Sequence, residues 1–376
     1  MVSGAVNDNL VKTALVVAIT TLHWSTLGVS TVVLANLAIL AFIIPFMLFA
    51  GIAAHKARLF APRRWLLSLK FMEILLATLA IIAILAESGW ALLLCVFGFG
   101  IQSAFIGPLK YALIPQLTSR PSLLQANAWM ESGTFIAILI GTFIGANWIT
   151  TSPILLSTLI GCLSLLGFAS VSAIPKISGN LHAVKQTVWQ LLQGQFADKR
   201  SMAAIWCISG FWGLGSVWLT HLPILTVHVW QLPTNFIGNL LSYFVIGISA
   251  GAFLGVVMKK LPLKKRIYGG AITIVVGSIL ANYSSYEFAT LGMCITAAGG
   301  GFLSLPLYTM LQDDQSAVTD RIAANNVINA LMIILTAGCS ILVVDILKVP
   351  LLHWFLILAL GQLVLCSNHC RNLCLD

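Results

Sequence analysis

Twelve long apolar segments, separated by short polar loops, run through this chain of 376 residues. A helix needs about 20 apolar residues to cross a bilayer. The composition, 59% hydrophobic and only 8% charged, excludes a soluble globular domain. The segments are continuous rather than alternating, which excludes a membrane β-barrel, and helices satisfy their own backbone polar groups in lipid. We therefore predict an all-α, polytopic membrane bundle of about twelve transmembrane helices. The predicted spans are 3–23, 31–53, 65–86, 90–113, 124–147, 153–174, 203–227, 235–258, 267–284, 288–311, 322–346 and 350–367.

Basic residues collect on one side of these predicted spans. Alternating crossings place sixteen lysines and arginines on that side, against Lys348 alone on the other. Cytoplasmic loops are enriched in Lys and Arg, so both termini and the long linker are predicted to be cytoplasmic. The same distribution explains the net charge of +9, and no basic groove with interleaved aromatic residues indicates nucleic-acid binding. The sixteen are Lys56, Arg58, Arg63, Arg64, Arg120, Lys176, Lys185, Lys199, Arg200, Lys259, Lys260, Lys264, Lys265, Arg266, Arg321 and Arg371.

The linker, residues 175–201, divides the predicted spans into two sets of six, residues 1–174 and 202–376. Two related six-span halves joined by a cytoplasmic linker resemble the layout of the major facilitator superfamily. In that layout the substrate site lies centrally between the halves.

An internal repeat supports the division into halves. Pro108-Leu109 precedes Ala126-Asn127 by 18 residues, and Pro306-Leu307 precedes Ala324-Asn325 by the same 18. The second pair of motifs therefore repeats the first, as expected if the halves share one structure.

The stretch from 107 to 141 contains the polar residues that most need an explanation. Lys110, Tyr111, Asn127 and Glu131 lie next to or within apolar runs long enough to span a bilayer. An ionisable side chain at the membrane centre costs about 2.5–3.5 kcal/mol on insertion scales. Asn127 and Glu131 are one helical turn apart and share a face, so we predict that they line a polar cavity. For Lys110 the alternative is a side chain that extends to the membrane surface.

Three further groups of polar residues lie within predicted spans. Asp8 and Asn9 open span 1, with Lys12 one turn after Asp8 as its expected partner; the alternative is a simple helix cap. Lys70 and Glu73 are three residues apart in span 3 and predict a structural pair within one helix. Asn325, Asn326 and Asn329 form a polar face on span 11, which matches that of span 5.

Small residues in the spans predict close helix packing rather than chemistry. Gly133, Gly141 and Gly145 follow the polar residues of span 5. Gly299-Gly300-Gly301 lacks the preceding strand that a phosphate-binding loop needs, so it is interpreted as a packing or bending site in span 10.

No hydrolytic triad, phosphate loop or metal cluster is evident, so we predict no enzyme activity and no cofactor. Cys366, His369, Cys370 and Cys374 fall on nearby turns of the last span. They are interpreted as thiols at a reducing cytoplasmic edge, with a metal site as the alternative.

Six segments together resemble the lysophospholipid transporter family, which belongs to the major facilitator superfamily. They are GAVNDNLVK at 4–12, GPLKYALIPQL at 107–117, QANAWMESGTFIAILIGT at 125–142, SGFWGLGSVWLTHLP at 209–223, GGGFLSLPLYTMLQ at 299–312 and RIAANNVINAL at 321–331. The chain looks most like the transporter module that some bacteria fuse to a lysophospholipid acyltransferase and an acyl-carrier-protein synthetase. The sequence departs from the expected pattern at His55, where the superfamily's loop after span 2 has an Asp, and at Leu219, where some single-domain members have a basic residue.

This resemblance implies inward movement of lysophospholipid, chiefly lysophosphatidylethanolamine, across the bacterial inner membrane for reacylation. Asp8 and Asn9 match the family's span 1 motif, Lys110 its span 4 motif, and Asn127 with Glu131 its span 5 motif. Because no acyltransferase domain follows span 12, reacylation is expected to need a separate cytoplasmic acyltransferase.

A lysophospholipid has a charged head group and one acyl chain, and the sequence offers complementary groups for both. Asp8, Lys110 and Glu131 supply both signs of charge for the head, and aliphatic residues of spans 5 and 11 suit the tail. Two other functions remain open at this point. One is a facilitator for a soluble solute or a drug, and the other is a scaffold that anchors an acyltransferase without transport.

Overall fold

The computed structural model describes residues 2–22, 24, 31–179, 187–226, 230–232, 236–282, 286–314 and 316–373. These residues are almost entirely helical, which confirms the all-α prediction. The helices are α1 Val2–Thr21, α2 Thr31–Leu48, α3 Ala50–Leu59, α4 Pro62–Leu85, α5 Gly89–Leu117, α6 Arg120–Thr151, α7 Pro153–Ser170, α8 Val188–Ala197, α9 Lys199–Ile224, α10 Phe236–Val257, α11 Leu263–Ala281, α12 Tyr286–Leu311, α13 Val318–Ser340 and α14 Leu351–Leu373. A π-helical segment, Ile341–Ile346, continues α13. Of the residues discussed above, Lys185 and Cys374 lie outside the described residues.

Ten of the described helices are long and apolar enough to cross a membrane. An eleventh span results if α2 and α3, which meet at an angle of 56°, form one broken span. The remaining predicted span corresponds to α11, which has three basic residues in its first four positions. Each of the twelve predicted spans therefore has a helix, or a helix pair, at its place in the described chain.

The start of α11 differs from the predicted span, which begins at 267. The helix begins at Leu263, directly after Pro262, whose fixed φ suits a helix start. Arg266 consequently lies within the first turn rather than in the loop, and it is buried. Its Nη2 donates a 3.0 Å hydrogen bond to the carbonyl oxygen of Gly255 at the end of α10.

The helices form two compact units by their contacts, and these units differ slightly from the sequence halves. Unit 1 consists of Met1–Leu113 and Ile136–Leu191, and unit 2 of Ile114–Phe135 and Leu192–Asp376. The second unit thus includes a helical hairpin formed by the end of α5 and the start of α6. The predicted halves are defined by the linker and the sequence repeat, whereas the two units are defined by the contacts between helices.

The two units repeat the same pattern of helix pairs. In unit 1, α1 packs on α7 and α4 packs on α7, while α5 approaches α2 through Gly100. In unit 2, α9 packs on α14, α11 packs on α14, and α10 packs on α12. Equivalent spans therefore have equivalent partners, as a sequence repeat predicts.

Glycines allow the closest of these helix contacts. A Cβ atom at Gly141 or Gly145 of α6 would overlap backbone atoms of Val6 or Leu10 in α1, which confirms the packing prediction for these two positions. The three consecutive glycines of α12 face three different helices. Gly299 lies against α11, Gly300 against the Phe211 ring of α9, and Gly301 against the α10 backbone, so this run is a packing site.

Candidate substrate-binding residues

The first turns of α1 place three polar side chains, those of Asn7, Asp8 and Asn9, inside unit 1. Asn7 is fully buried, and its Nδ2 donates hydrogen bonds to the Ser164 hydroxyl at 2.9 Å and the Ile160 carbonyl at 3.2 Å, both in α7. Asp8 is buried, and its Oδ2 accepts a hydrogen bond from the hydroxyl of Ser103 in α5. These contacts across helices go beyond what a helix cap makes. The start of α1 therefore forms part of the polar interior of unit 1.

Asp8 is the predicted partner of Lys12, but the hydrogen bond that Lys12 donates goes to Asn9. The Lys12 ammonium donates to Asn9 Oδ1 at 2.8 Å and lies over the Phe42 ring, 5.1 Å from its centroid. Among the described residues, no hydrogen bond joins Asp8 to Lys12, and the two side chains interact through their opposite charges. Asp8, Asn9 and Lys12 thus form one connected polar edge of α1.

The Lys70–Glu73 pair is present, as predicted, and it is almost completely buried. Lys70 Nζ lies 2.5 Å from Glu73 Oε2, which also accepts a 2.9 Å hydrogen bond from Gln102 Nε2 of α5. Gly4 of α1 leaves room for the pair, since a Cβ atom there would lie 2.8 Å from Lys70 Nζ. The pair is therefore a packing element among α1, α4 and α5.

Lys110 and Tyr111 lie near the end of α5, in the part that belongs to unit 1. Lys110 is half-buried, and its ammonium lies 4.6 Å from the centroid of the Tyr111 ring. A cation over an aromatic face is stabilised by the ring quadrupole, by about 0.5–2 kcal/mol. The Tyr111 ring therefore gives the Lys110 ammonium at least one stabilising contact within unit 1.

Asn127, at the start of α6, is fully buried within unit 2. It exchanges two hydrogen bonds with Gln312, at 3.0 and 3.4 Å, and donates a third to Thr309 Oγ1 at 3.3 Å. Both partners are at the end of α12. The amide of Asn127 therefore ties the α5–α6 hairpin to α12.

Glu131, one turn after Asn127, faces the same helix. Its carboxylate and the amides of Asn325 and Asn329 lie close to the Tyr308 hydroxyl of α12. Trp212 Nε1 of α9 donates a 3.0 Å hydrogen bond to that hydroxyl, and Ser209 of α9 donates one of 2.6 Å to Asn329 Oδ1. The predicted shared face of Asn127 and Glu131 is therefore present, and it points toward α12.

An aromatic wall borders this polar group. The rings of Phe135 and Trp212 are stacked, with centroids 5.7 Å apart and planes 18° apart. The wholly buried amide of Asn325 has no hydrogen bond of ordinary geometry among the described residues. A carboxylate, a phenol and amides beside flat aromatic rings suit a ligand with an ammonium group.

The eight predicted residues thus fall into two sets. Unit 1 contains Asp8, Asn9, Lys110 and Tyr111, and unit 2 contains Asn127, Glu131, Asn325 and Asn329.

Sequence reasoning missed six side chains of these sets, and the repeat identifies one of them. Tyr308 follows Pro306 by two residues, as Lys110 follows Pro108. Glu131 and Asn329 likewise stand at matching positions. Tyr308 is therefore the counterpart of Lys110, whereas nothing in the local pattern distinguishes the other five. The six are Ser103, Ser209, Trp212, Tyr308, Thr309 and Gln312.

The cysteines near the chain's end, so far as the structure describes them, lie on the last helix. Cys366 and Cys370 are buried in α14, and Gln362 Nε2 lies 3.4 Å from Cys366 Sγ. Among the described residues, no three His, Cys, Asp or Glu side chains come together to hold a metal ion.

Comparison with known proteins matches this chain to one family and to solved structures with a similar fold. The family described as the Major Facilitator Superfamily matches residues 2–360. A crystal structure of the E. coli fucose:proton symporter FucP matches with a TM-score of 0.76 and 12% identity, over 100% of this chain and 98% of FucP. The human organic anion transporter MFSD10 (TETRAN) matches with a TM-score of 0.74 and 12% identity, over 97% of each chain.

Two curated relatives are similar in sequence. The lysophospholipid transporter LplT of Serratia proteamaculans (strain 568) is 28% identical over 242 residues, 59% of this chain and 60% of LplT. LplT of Yersinia pestis (strain Pestoides F) is 27% identical over 231 residues, 57% of this chain and 55% of LplT. The match therefore spans less than two thirds of either relative.

Proposed function

This chain belongs to the major facilitator superfamily, and we propose that within it the chain transports lysophospholipid. The proposed substrate is lysophosphatidylethanolamine, moved inward across the bacterial inner membrane and then reacylated. The sequence relatives named as lysophospholipid transporters support this choice.

One observation carries the proposal: ionisable side chains of both signs lie within helices that are long and apolar enough to span a membrane. Asp8 and Glu131 are buried carboxylates on α1 and α6, and Lys110 is a half-buried cation on α5. Such residues are costly in a membrane and mark substrate pathways. The head group of lysophosphatidylethanolamine has a phosphate and an ammonium, so it needs both signs of charge.

We assign the phosphate to Lys110 and the ammonium to the carboxylates. A lysine ammonium binds phosphate as a point charge. Glu131 is bordered by the Tyr308 hydroxyl and the Phe135–Trp212 stack, which suit an ammonium. Asn9 and Tyr111 supply further hydrogen-bonding groups in unit 1, and Asn127, Asn325 and Asn329 supply them in unit 2.

The acyl chain needs an apolar surface beside the polar residues. On α6, Ile136, Ile140 and Phe143 form an exposed stripe that follows Glu131 in the chain. Hydrocarbon gains about 0.8 kcal/mol for each methylene group that leaves water. A substrate whose tail stays in an apolar environment therefore retains most of that free energy during transport.

The proposed setting follows from the charge of the loops. Sixteen basic residues on one side of the predicted spans favour an inner-membrane protein with both termini in the cytoplasm. Lysophospholipid delivered there would be reacylated by a separate cytoplasmic acyltransferase.

The decisive experiment measures lysophosphatidylethanolamine uptake in proteoliposomes that contain only this chain. We expect uptake by the wild type and its loss in Lys110→Ala and Glu131→Ala, with Glu287→Ala, an exposed carboxylate at the start of α12, as the matched control. Because no acyltransferase is present, uptake would exclude a purely scaffolding function. Normal uptake in both variants would refute the residue assignments, and flux of a soluble solute without lysolipid flux would refute the substrate.

A further inference from the structure

The short helix α8, Val188–Ala197, has both ends defined by side-chain contacts. At its start, Thr187 Oγ1 accepts a hydrogen bond from the backbone N–H of Gln190. In return, Gln190 Oε1 accepts one of 2.9 Å from the backbone N–H of Thr187. This reciprocal pattern is a capping box. At its end, only Asp198 separates α8 from α9, and the Asp198 side chain caps α9 through the Ser201 amide at 3.1 Å. The single residue between the two helices keeps the C-terminal end of α8 close to the start of α9.

Helical spacing divides α8 into three faces. Leu191 and Gln195 form the face that is buried in the protein. Trp189 and Phe196 lie seven residues apart on a second face, and they are 66% and 51% exposed. The third face carries the exposed residues Gln190 and Gly194. The helix thus has one face that the described protein covers and an adjacent apolar face that it leaves exposed.

The exposed apolar face would be costly in water. Burial of a Phe-sized side chain is favoured over its exposure to water, because the hydrophobic effect grows with the apolar area removed from water. Because the spanning helix α9 starts after a single intervening residue, the C-terminal end of the 10-residue α8 lies at the membrane surface. Trp and Phe on one face of an amphipathic helix are the side chains that enter the lipid head-group region.

Charge at the same place favours anionic lipid. Lys199 and Arg200, the first two residues of α9, are both exposed. The neighbouring carboxylate of Asp198 does not offset them, since it is paired with Arg321 at 3.1 Å. Basic residues near a membrane surface are attracted by the negative potential of anionic lipids.

From these observations we infer that α8 lies in the head-group region of the leaflet at which α9 begins, where it binds anionic phospholipid. Trp189 and Phe196 enter the apolar boundary, while Lys199 and Arg200 bind the phosphate groups. This inference goes beyond the proposed function and holds whatever substrate the protein transports.

The first test measures where the faces of α8 lie in liposomes. Spin labels are placed at Trp189→Cys and Phe196→Cys, with Gln190→Cys and Gly194→Cys as matched controls, in the full chain with its native cysteines replaced. We expect the labels at 189 and 196 to collide mainly with dissolved oxygen, and those at 190 and 194 mainly with a water-soluble nickel chelate. Equal access of the nickel chelate to all four positions would overturn the inference.

The second test keeps the native cysteines and measures backbone hydrogen exchange of α8. We expect slower exchange in phosphatidylcholine liposomes when phosphatidylglycerol is added, and loss of that effect in Lys199→Gln/Arg200→Gln. Exchange that does not respond to phosphatidylglycerol would overturn the assignment of anionic lipid. Neither test depends on lysolipid transport, so the two proposals can fail separately.

Discussion

The side-chain amides of Asn127 and Gln312 exchange two hydrogen bonds, at 3.0 and 3.4 Å, although 185 residues separate them in the chain. Interhelical hydrogen bonds in membrane proteins contribute about 0.6 kcal/mol on average and about 1.7 at most. We therefore expect a coupling in that range from a double-mutant cycle of Asn127→Ala and Gln312→Ala. The measurement is the unfolding free energy of the purified protein, and strictly additive effects would contradict the reciprocal bond.

The buried Lys70–Glu73 pair predicts a larger and asymmetric effect. Removal of one member of a buried pair leaves an uncompensated charge, which costs about 3–5 kcal/mol. We expect Lys70→Met alone to reduce the folded yield in fluorescence-detected gel filtration. The double variant Lys70→Met/Glu73→Gln should lose less, because no lone charge remains. A double variant that is as impaired as the sum of the singles would show that the pair is not a charge-compensated unit.

The hydroxyl of Tyr308 is expected to contribute to uptake. Tyr308→Phe keeps the ring but removes the acceptor of the Trp212 indole. One lost hydrogen bond is worth about 0.5–1.5 kcal/mol net, which corresponds to about 2- to 12-fold slower uptake of lysophosphatidylethanolamine. Tyr268→Phe, whose hydroxyl accepts a 3.3 Å bond from Ser367 at an exposed site, is the matched control. Equal uptake by both variants would exclude the Tyr308 hydroxyl from the site.

The Asp198–Arg321 pair predicts a stability change at acid pH. Partial burial by itself raises the pKa of Asp198, but hydrogen bonds from Ser201 and the charge of Arg321 outweigh it and hold the pKa below its ordinary value. A lowered folded-state pKa stabilises the protein above the ordinary Asp value of about 3.9, and that stabilisation is lost as the pH falls through the folded-state pKa.

Comparison of two variants separates the charge of Asp198 from its capping role. Asp198→Asn keeps one acceptor oxygen for the N-cap but loses the ion pair with Arg321, which is worth about 0–1 kcal/mol because it is partly exposed. Asp198→Ala also loses the cap and should cost about 0.5–2 kcal/mol more. Thermal unfolding between pH 3 and pH 7, about the range over which Asp titrates, measures both. If Asp198→Asn loses as much stability at acid pH as the wild type does, the Asp198 carboxylate is not the group that causes the loss.

Gly141 is expected to be intolerant of even one added carbon. A Cβ atom there would overlap the Val6 carbonyl oxygen, so Gly141→Ala should separate α6 from α1 and lower thermal stability. The matched control is Gly338→Ala on α13, where nothing lies within 4 Å of the added atom. That change should be neutral or stabilising by about 0.4–1 kcal/mol through lower unfolded-chain entropy. Equal stability of the two variants would refute the close approach of α6 and α1.

The sequence alone determined the spans, because hydropathy is a local property that sets which segments enter lipid. It also determined the contacts between residues one turn apart, such as Lys70 with Glu73, since helix geometry alone brings those side chains together. The shared face of Asn127 and Glu131 follows from the same spacing.

Only the tertiary structure decided which side chains meet across helices. Asn127 pairs with Gln312 rather than another amide, and Lys12 bonds to Asn9 although Asp8 is also one turn away in the same helix. Such partners depend on how the helices pack, and many sequences with the same apolar pattern would pack differently. The grouping of residues 114–135 with the second unit has the same origin, because it reflects contacts between distant segments that no local pattern records.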